Sequence, residues 1–191
     1  IVMDSKTGEI YAMSTMRRND DGTYSADSGN FAAVEAYEPG SVAKVFSVSA
    51  ALNEGTVQTN STFKVPGAQT FFKDTEWEDT LKDAYPHALE DMSVRKILVD
   101  SSNLGTIQVA QTMTPQKLHD YLKSFGFGSK TDINFPGETK GLLADADKWR
   151  GLEKVTTSYG YGYASSALQL IAGVNVVAND GNYVAPRIVS G

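Results

Sequence analysis

The stretch Tyr37–Leu52, YEPGSVAKVFSVSAAL, sets a tight turn directly against an apolar helix. Pro39-Gly40 marks the turn. From Val42 to about Asn53 there is no breaker, and the segment is apolar nearly all round, which predicts a buried helix rather than a surface one. Gly55 follows as a stop signal. Ser41 stands at the junction, and Lys44 lies three residues on, one turn later on the same face. A serine hydroxyl is a weak nucleophile until a base sits within hydrogen-bond reach. A lysine amine becomes such a base when burial lowers its pKa. Val42, Val45 and Phe46 are expected to keep water from it. A helix N-terminus favours developing negative charge, so the Ser41 backbone N–H is an expected oxyanion donor. The same residues also have a plainer reading, because serine is a favoured helix N-cap.

Further along, DSSNLG (residues 100–105) interrupts two helical patterns, SVRKILVD (93–100) and LGTIQVAQTM (104–113). A loop hydroxyl at Ser101 could relay a proton from Lys44 to a leaving group. The Asn103 amide could hold a substrate carbonyl or orient the lysine. Alternatively, Ser101 or Ser102 simply caps the second helix.

Around these two pieces the pattern alternates between strands and helices. Residues 1–16 read as a β-hairpin, with SKTG as its turn. Residues 17–30 read as a polar loop. Residues 56–88 mix short strand-like pieces with loops. TPQKLHDYLKSFG is an amphipathic helix capped by Thr114 and ended by Gly126. SSALQLIAGVNVVANDG reads as a last helix, and DGNYVAPRIV as the start of an extended run. The expected class is α+β and helix-rich.

The composition narrows the functions available. The 191 residues carry a formal net charge of −6 and no basic run, which argues against a nucleic-acid partner. With no cysteine there is neither a disulfide framework nor thiolate chemistry. His87 and His119 have no metal-ligand spacing, and no apolar run is long enough to span a membrane. Both ends of the chain read as cut, so a membrane anchor is expected upstream.

Taken together, DSKTGEIYAM, YEPGSVAKVFSVSAAL, MSVRKILVDSSNLG, LKSFGFGSKTDINFPGE, TSYGYG, LQLIAGVNVVANDG and APRIV follow one another as in a known family. The chain resembles the transpeptidase domain of class B penicillin-binding proteins, those of cell division and elongation. The resemblance implies a partial penicillin-binding transpeptidase (β-lactamase-like) fold: one truncated domain over 1–191, with an N-terminal β-hairpin and its C-terminal sheet strands missing. It implies Ser41 as the acylated nucleophile, Lys44 as general base, Ser101 as proton relay and Asn103 as the substrate contact, with no metal or organic cofactor. The implied partners are peptidoglycan stem peptides, penicillins and other β-lactams, and division or elongation proteins. The implied place is the extracytoplasmic face of the bacterial membrane.

Three details qualify the resemblance. The family's Lys-Thr-Gly follows both other motifs, whereas Lys6-Thr7-Gly8 precedes them and occupies a hairpin turn. The real third motif is expected beyond Gly191, so this piece should acylate poorly, and the 1–16 hairpin should have unpaired edges. The family usually has Gln between the glycines of Gly160-Tyr161-Gly162, and the preferred reading is that this loop only packs the last helix. Two other functions compete: a serine β-lactamase, with Glu138 as water activator, and a β-lactam sensor or silent binding module.

Overall fold

The computed structural model describes residues 1–188. Strands β1 (Val2–Met3), β2 (Ile10–Ala12), β3 (Thr15–Arg18) and β4 (Tyr24–Asp27) precede a short helix α1 (Phe31–Val34). A 3₁₀ turn at Gly40–Ala43 runs into α2 (Lys44–Asn53). Strands β5 (Thr62–Val65), β6 (Ala68–Phe71), β7 (Asp79–Lys82) and β8 (Glu90–Ser93) follow. The helices α3 (Val94–Val99), α4 (Asn103–Ala110), α5 (Pro115–Ser124), α6 (Glu153–Thr156) and α7 (Ala167–Ala178) complete the chain. All sheets among the described residues are two-stranded and antiparallel: β1-β2, β3-β4, β5-β8 and β6-β7. The mixed, helix-rich α+β class is as expected.

The chain forms two compact units. The first comprises Ile1–Tyr37, Lys123–Leu143 and Ala164–Gly191. In it, the β1-β2 turn is built by Asp4, whose carboxylate accepts the N–H groups of Lys6 and Thr7, each at 2.8 Å. Gly8 closes the turn at φ +74°. One edge of this hairpin is not open: Ile10 N–H donates to Arg187 O (2.9 Å), and Arg187 N–H donates to Gly8 O (2.8 Å). The rest of the extended run expected at the C-terminus, from Val189 on, lies outside the described residues. The segment 17–30, read as loop, instead carries a second hairpin, β3-β4, with Arg17 opposite Ser25. Its pairs are largely polar and exposed, so no hydrophobic alternation betrays it; bonds among Asn19, Asp21 and Thr23 shape its turn. The last helix forms as expected. Ser166 caps α7 in a capping box with Gln169. The buried Gln169 amide also donates to Ser129 O and Lys140 O (2.7 and 2.9 Å), tying two turn-rich loops to the helix start.

The second unit comprises Glu38–Leu122 and Ala144–Tyr163. Its core gathers Phe46, Ile97, Leu104, Ile107 and Leu118. Helix α2 packs on α4 and α3. As its all-round apolarity predicts, most of α2 is buried, including Ser47, whose hydroxyl donates to Ser158 O at 2.6 Å. Helix α5 has the expected cap, with Thr114 Oγ1 accepting the Lys117 N–H at 3.2 Å.

Candidate active site

The site lies in the second unit, at the start of α2. Ser41 is exposed, in the 3₁₀ turn Gly40–Ala43. Being near the first residue of that turn, its N–H belongs to the donors a helix start leaves unpaired. The turn is braced through its backbone: Gly40 N–H donates to Gly160 O at 3.0 Å. A Cβ at Gly160 would meet Gly40 O at 2.0 Å, and Gly160 sits at φ +95°, so only glycine fits there. The loop Tyr159–Gly162 therefore abuts the Ser41 turn, which corrects the expectation that it merely packs the last helix. Tyr161 is half-exposed and stacks edge-on against Tyr159, with ring centroids 5.4 Å apart.

Lys44 starts α2 and is only 1% exposed. Its Nζ lies 3.1 Å from Ser41 Oγ, 3.0 Å from Ser101 Oγ and 2.5 Å from Ser101 O. Burial pulls its pKa down from 10.5 to about 8, against the opposing pull of the Asp83 carboxylate. Of the three expected shields, Phe46 is buried, but Val42 is 48% exposed beside Ser41 and does not cover the amine. Val42 faces out of the 3₁₀ turn, whereas the next two residues, Ala43 and Lys44, face in. What closes over Lys44 Nζ on the polar side is the Ser101 turn.

Ser101 sits between α3 and α4 at φ +56°, a left-handed conformation rarely taken by a non-glycine residue. That conformation aims both its carbonyl and its hydroxyl at Lys44. Ser102 is the actual N-cap of α4, accepting Gly105 N–H at 2.8 Å. Asn103 opens α4, and its Nδ2 donates to Lys82 O at 2.8 Å. The bond from Asn103 to Lys44 that the sequence suggested is thus replaced by one to β7. The structure brings Ser41, Lys44 and Ser101 into one hydrogen-bonded cluster and sets Asn103 two residues beyond.

The remaining candidates fall elsewhere. Lys6-Thr7-Gly8 forms the β1-β2 turn, with Lys6 exposed and paired to Asp180. Glu138 is buried, and its Oε1 accepts both the N–H and the hydroxyl of Thr131 (2.7 and 2.6 Å). Sequence reasoning missed Asp83, which is far from both motifs in the chain yet bonded to Ser102 at 2.5 Å. Among the described residues no cluster of three metal-ligating side chains occurs, and no helix is long and apolar enough to cross a membrane.

A buried lysine joining a turn serine to a second, interhelical serine, on this mixed fold, marks a particular family. The model of the penicillin-binding protein transpeptidase domain matches residues 1–191, and the chain belongs to that family. It is 34% identical to the penicillin-binding protein PbpB of Mycolicibacterium smegmatis, across 99% of this chain and 29% of that protein. It is 33% identical to a probable peptidoglycan D,D-transpeptidase, PenA, of Neisseria flavescens, across 95% of this chain and 44% of that protein. The chain thus spans less than half the length of these relatives. Among solved structures, penicillin-binding protein 3 of Mycobacterium tuberculosis complexed with aztreonam is 31% identical at a TM-score of 0.85, covering 98% of this chain and 42% of that one. The same protein complexed with ampicillin matches equally well.

Proposed function

We propose that this chain carries the acylation centre of a peptidoglycan D,D-transpeptidase that β-lactams also acylate. The observation that carries this reading is the buried Lys44 amine within hydrogen-bond reach of both the Ser41 and the Ser101 hydroxyls. Neutral Lys44 takes the Ser41 proton as Oγ attacks the carbonyl of the D-Ala-D-Ala bond. The Ser41 N–H meets the developing oxyanion. The proton then passes from Lys44 through the Ser101 hydroxyl to the nitrogen of the departing D-Ala. Asn103, anchored through Nδ2 on Lys82 O, offers the rest of its amide to the substrate backbone. An amine of a neighbouring stem resolves the acyl-enzyme into a cross-link. A β-lactam ring opens at the same serine and leaves a long-lived ester. Family membership and relatives named as D,D-transpeptidases support this reading. We place the activity outside the cytoplasm, where division or elongation proteins would be its partners.

The test uses the full-length protein of which this chain is part. Fluorescent penicillin should label it stoichiometrically, and Ser41→Ala should abolish labelling. A chromogenic cephalosporin should give a burst without continued turnover, whereas sustained hydrolysis would favour a β-lactamase. The Glu138 carboxylate, spent on Thr131, gives that alternative no support.

A further inference from the structure

One part-buried aspartate–histidine pair next to the site takes no part in the chemistry above. Asp83 follows β7 with its side chain 5% exposed, and His87 is 17% exposed. Asp83 Oδ1 accepts the Leu104 N–H at 2.9 Å, and Oδ2 accepts the Ser102 hydroxyl at 2.5 Å. Oδ2 also lies 3.1 Å from His87 Nε2. The preceding residue adds Lys82 O, which accepts from Asn103. Lys82 and Asp83 together therefore grip Ser102, Asn103 and Leu104, the three residues that follow the left-handed Ser101.

We propose that Asp83, held by His87, is the positioning residue that fixes the Ser101–Asn103 turn against Lys44, and that the grip depends on His87 carrying both ring protons. This rests on the reading of Ser41 and Lys44 given above. The second ring nitrogen, Nδ1, lies 2.7 Å from Ala88 O, which can only accept. Both nitrogens thus face acceptors, an arrangement only imidazolium satisfies. The neighbours agree. Glu90 of β8 and Asp100 after α3 line the same cavity of about 250 Å³ as Asp83 and His87. Lys96 of α3 pairs with both of those carboxylates, so part of their charge is neutralised there. Tyr85 lines the cavity as well. His87 is held above its ordinary pKa, first by the bond to Asp83, then by the Ala88 carbonyl. When His87 loses a proton, a nitrogen lone pair faces an acceptor, and the hold on the Ser102 cap loosens. Ser101 then loses what keeps it in a conformation it disfavours.

The consequence is a pH profile with two limbs. Acylation rises as Lys44 becomes neutral and declines as His87 becomes neutral. Asp83 also acts on Lys44 directly, because its charge raises the amine pKa. Removing that charge lowers the lysine pKa further, so it moves the rising limb to lower pH while the loosened turn slows the step.

In the full-length protein, fluorescent-penicillin acylation rates are measured from pH 5 to 10 for the parent, Asp83→Asn and His87→Gln. His87→Gln should lose on the order of 10–100-fold near neutral pH, as small misplacements of catalytic groups do, and should lose the declining limb. Asp83→Asn should slow acylation similarly and shift the rising limb to lower pH. A variant that is only less stable would lose melting temperature without moving either limb. Imidazole ¹⁵N spectra of the parent should show His87 holding its second proton to a higher pH than a free imidazole does and, if Asp83→Asn folds, titrating lower in it. An ordinary His87 titration, or unchanged rate and profile in His87→Gln, overturns the proposal. A parent that is not labelled at Ser41 overturns the underlying reading as well, and the spectra then report separately whether the ion pair exists.

Discussion

At the scale of single residues, Lys44 is the group on which the proposed acylation turns. Its pKa near 8 leaves about one molecule in ten with a neutral amine at pH 7. The Lys44 titration by itself should therefore make the acylation rate of the full-length protein climb about tenfold per pH unit below 8 and level off above it. Lys44→Gln cannot take a proton at these pH values. It should slow penicillin labelling by roughly 10²–10⁴-fold and erase the rising limb; a limb that survives in this variant would move the base elsewhere. Ser101 offers a cleaner separation of geometry from chemistry. Both Ser101→Ala and Ser101→Gly lose the hydroxyl, but only glycine is at ease at φ +56°. The glycine variant should be the more stable of the two by about 1 kcal/mol in urea titration, with both equally slow. Equal stability would mean that the turn is not strained as described.

Among the elements, the 3₁₀ turn and the Tyr159–Gly162 loop act as one backbone-to-backbone joint. Gly160→Ala forces a Cβ into Gly40 O and a side chain into a positive φ. It should cost more than about 1 kcal/mol of stability and slow acylation on the order of 10²-fold by displacing Ser41. Retention of the parent rate would show that the loop yields without moving the serine. On α7, Ser166→Ala breaks the capping box and should cost about 1 kcal/mol by denaturant titration. The two kinds of element were unequally legible in the sequence. Helix α2, the break at Ser101–Asn103 and α5 could be read from apolar runs, breakers and caps, and the nearness of Lys44 to Ser41 from their three-residue spacing. The β3-β4 hairpin could not, because its pairing is made by polar residues on an exposed ribbon, where no burial imposes an alternation. Asp83 and His87 could not either: an aspartate some twenty residues from the turn it caps leaves no local pattern, and only the fold brings them together. The place of the Tyr159–Gly162 loop was misjudged for the same reason, since its contact with the Ser41 turn runs through the backbone of Gly160.

Across the whole molecule, the 191 residues hold Ser-x-x-Lys and Ser-x-Asn, but their one Lys-Thr-Gly is spent on a hairpin turn. The family resemblance assigns a second oxyanion donor to the strand carrying the third motif, and losing one such donor costs about 10²–10³ in rate. The same joint that braces the serine also restricts heredity. Every amino-acid substitution at Gly160 introduces at least a Cβ where the carbonyl of Gly40 already stands, so a changed residue at that position must displace the turn. Room to vary is left to the half-exposed side chains on either side, Tyr161 and Val42.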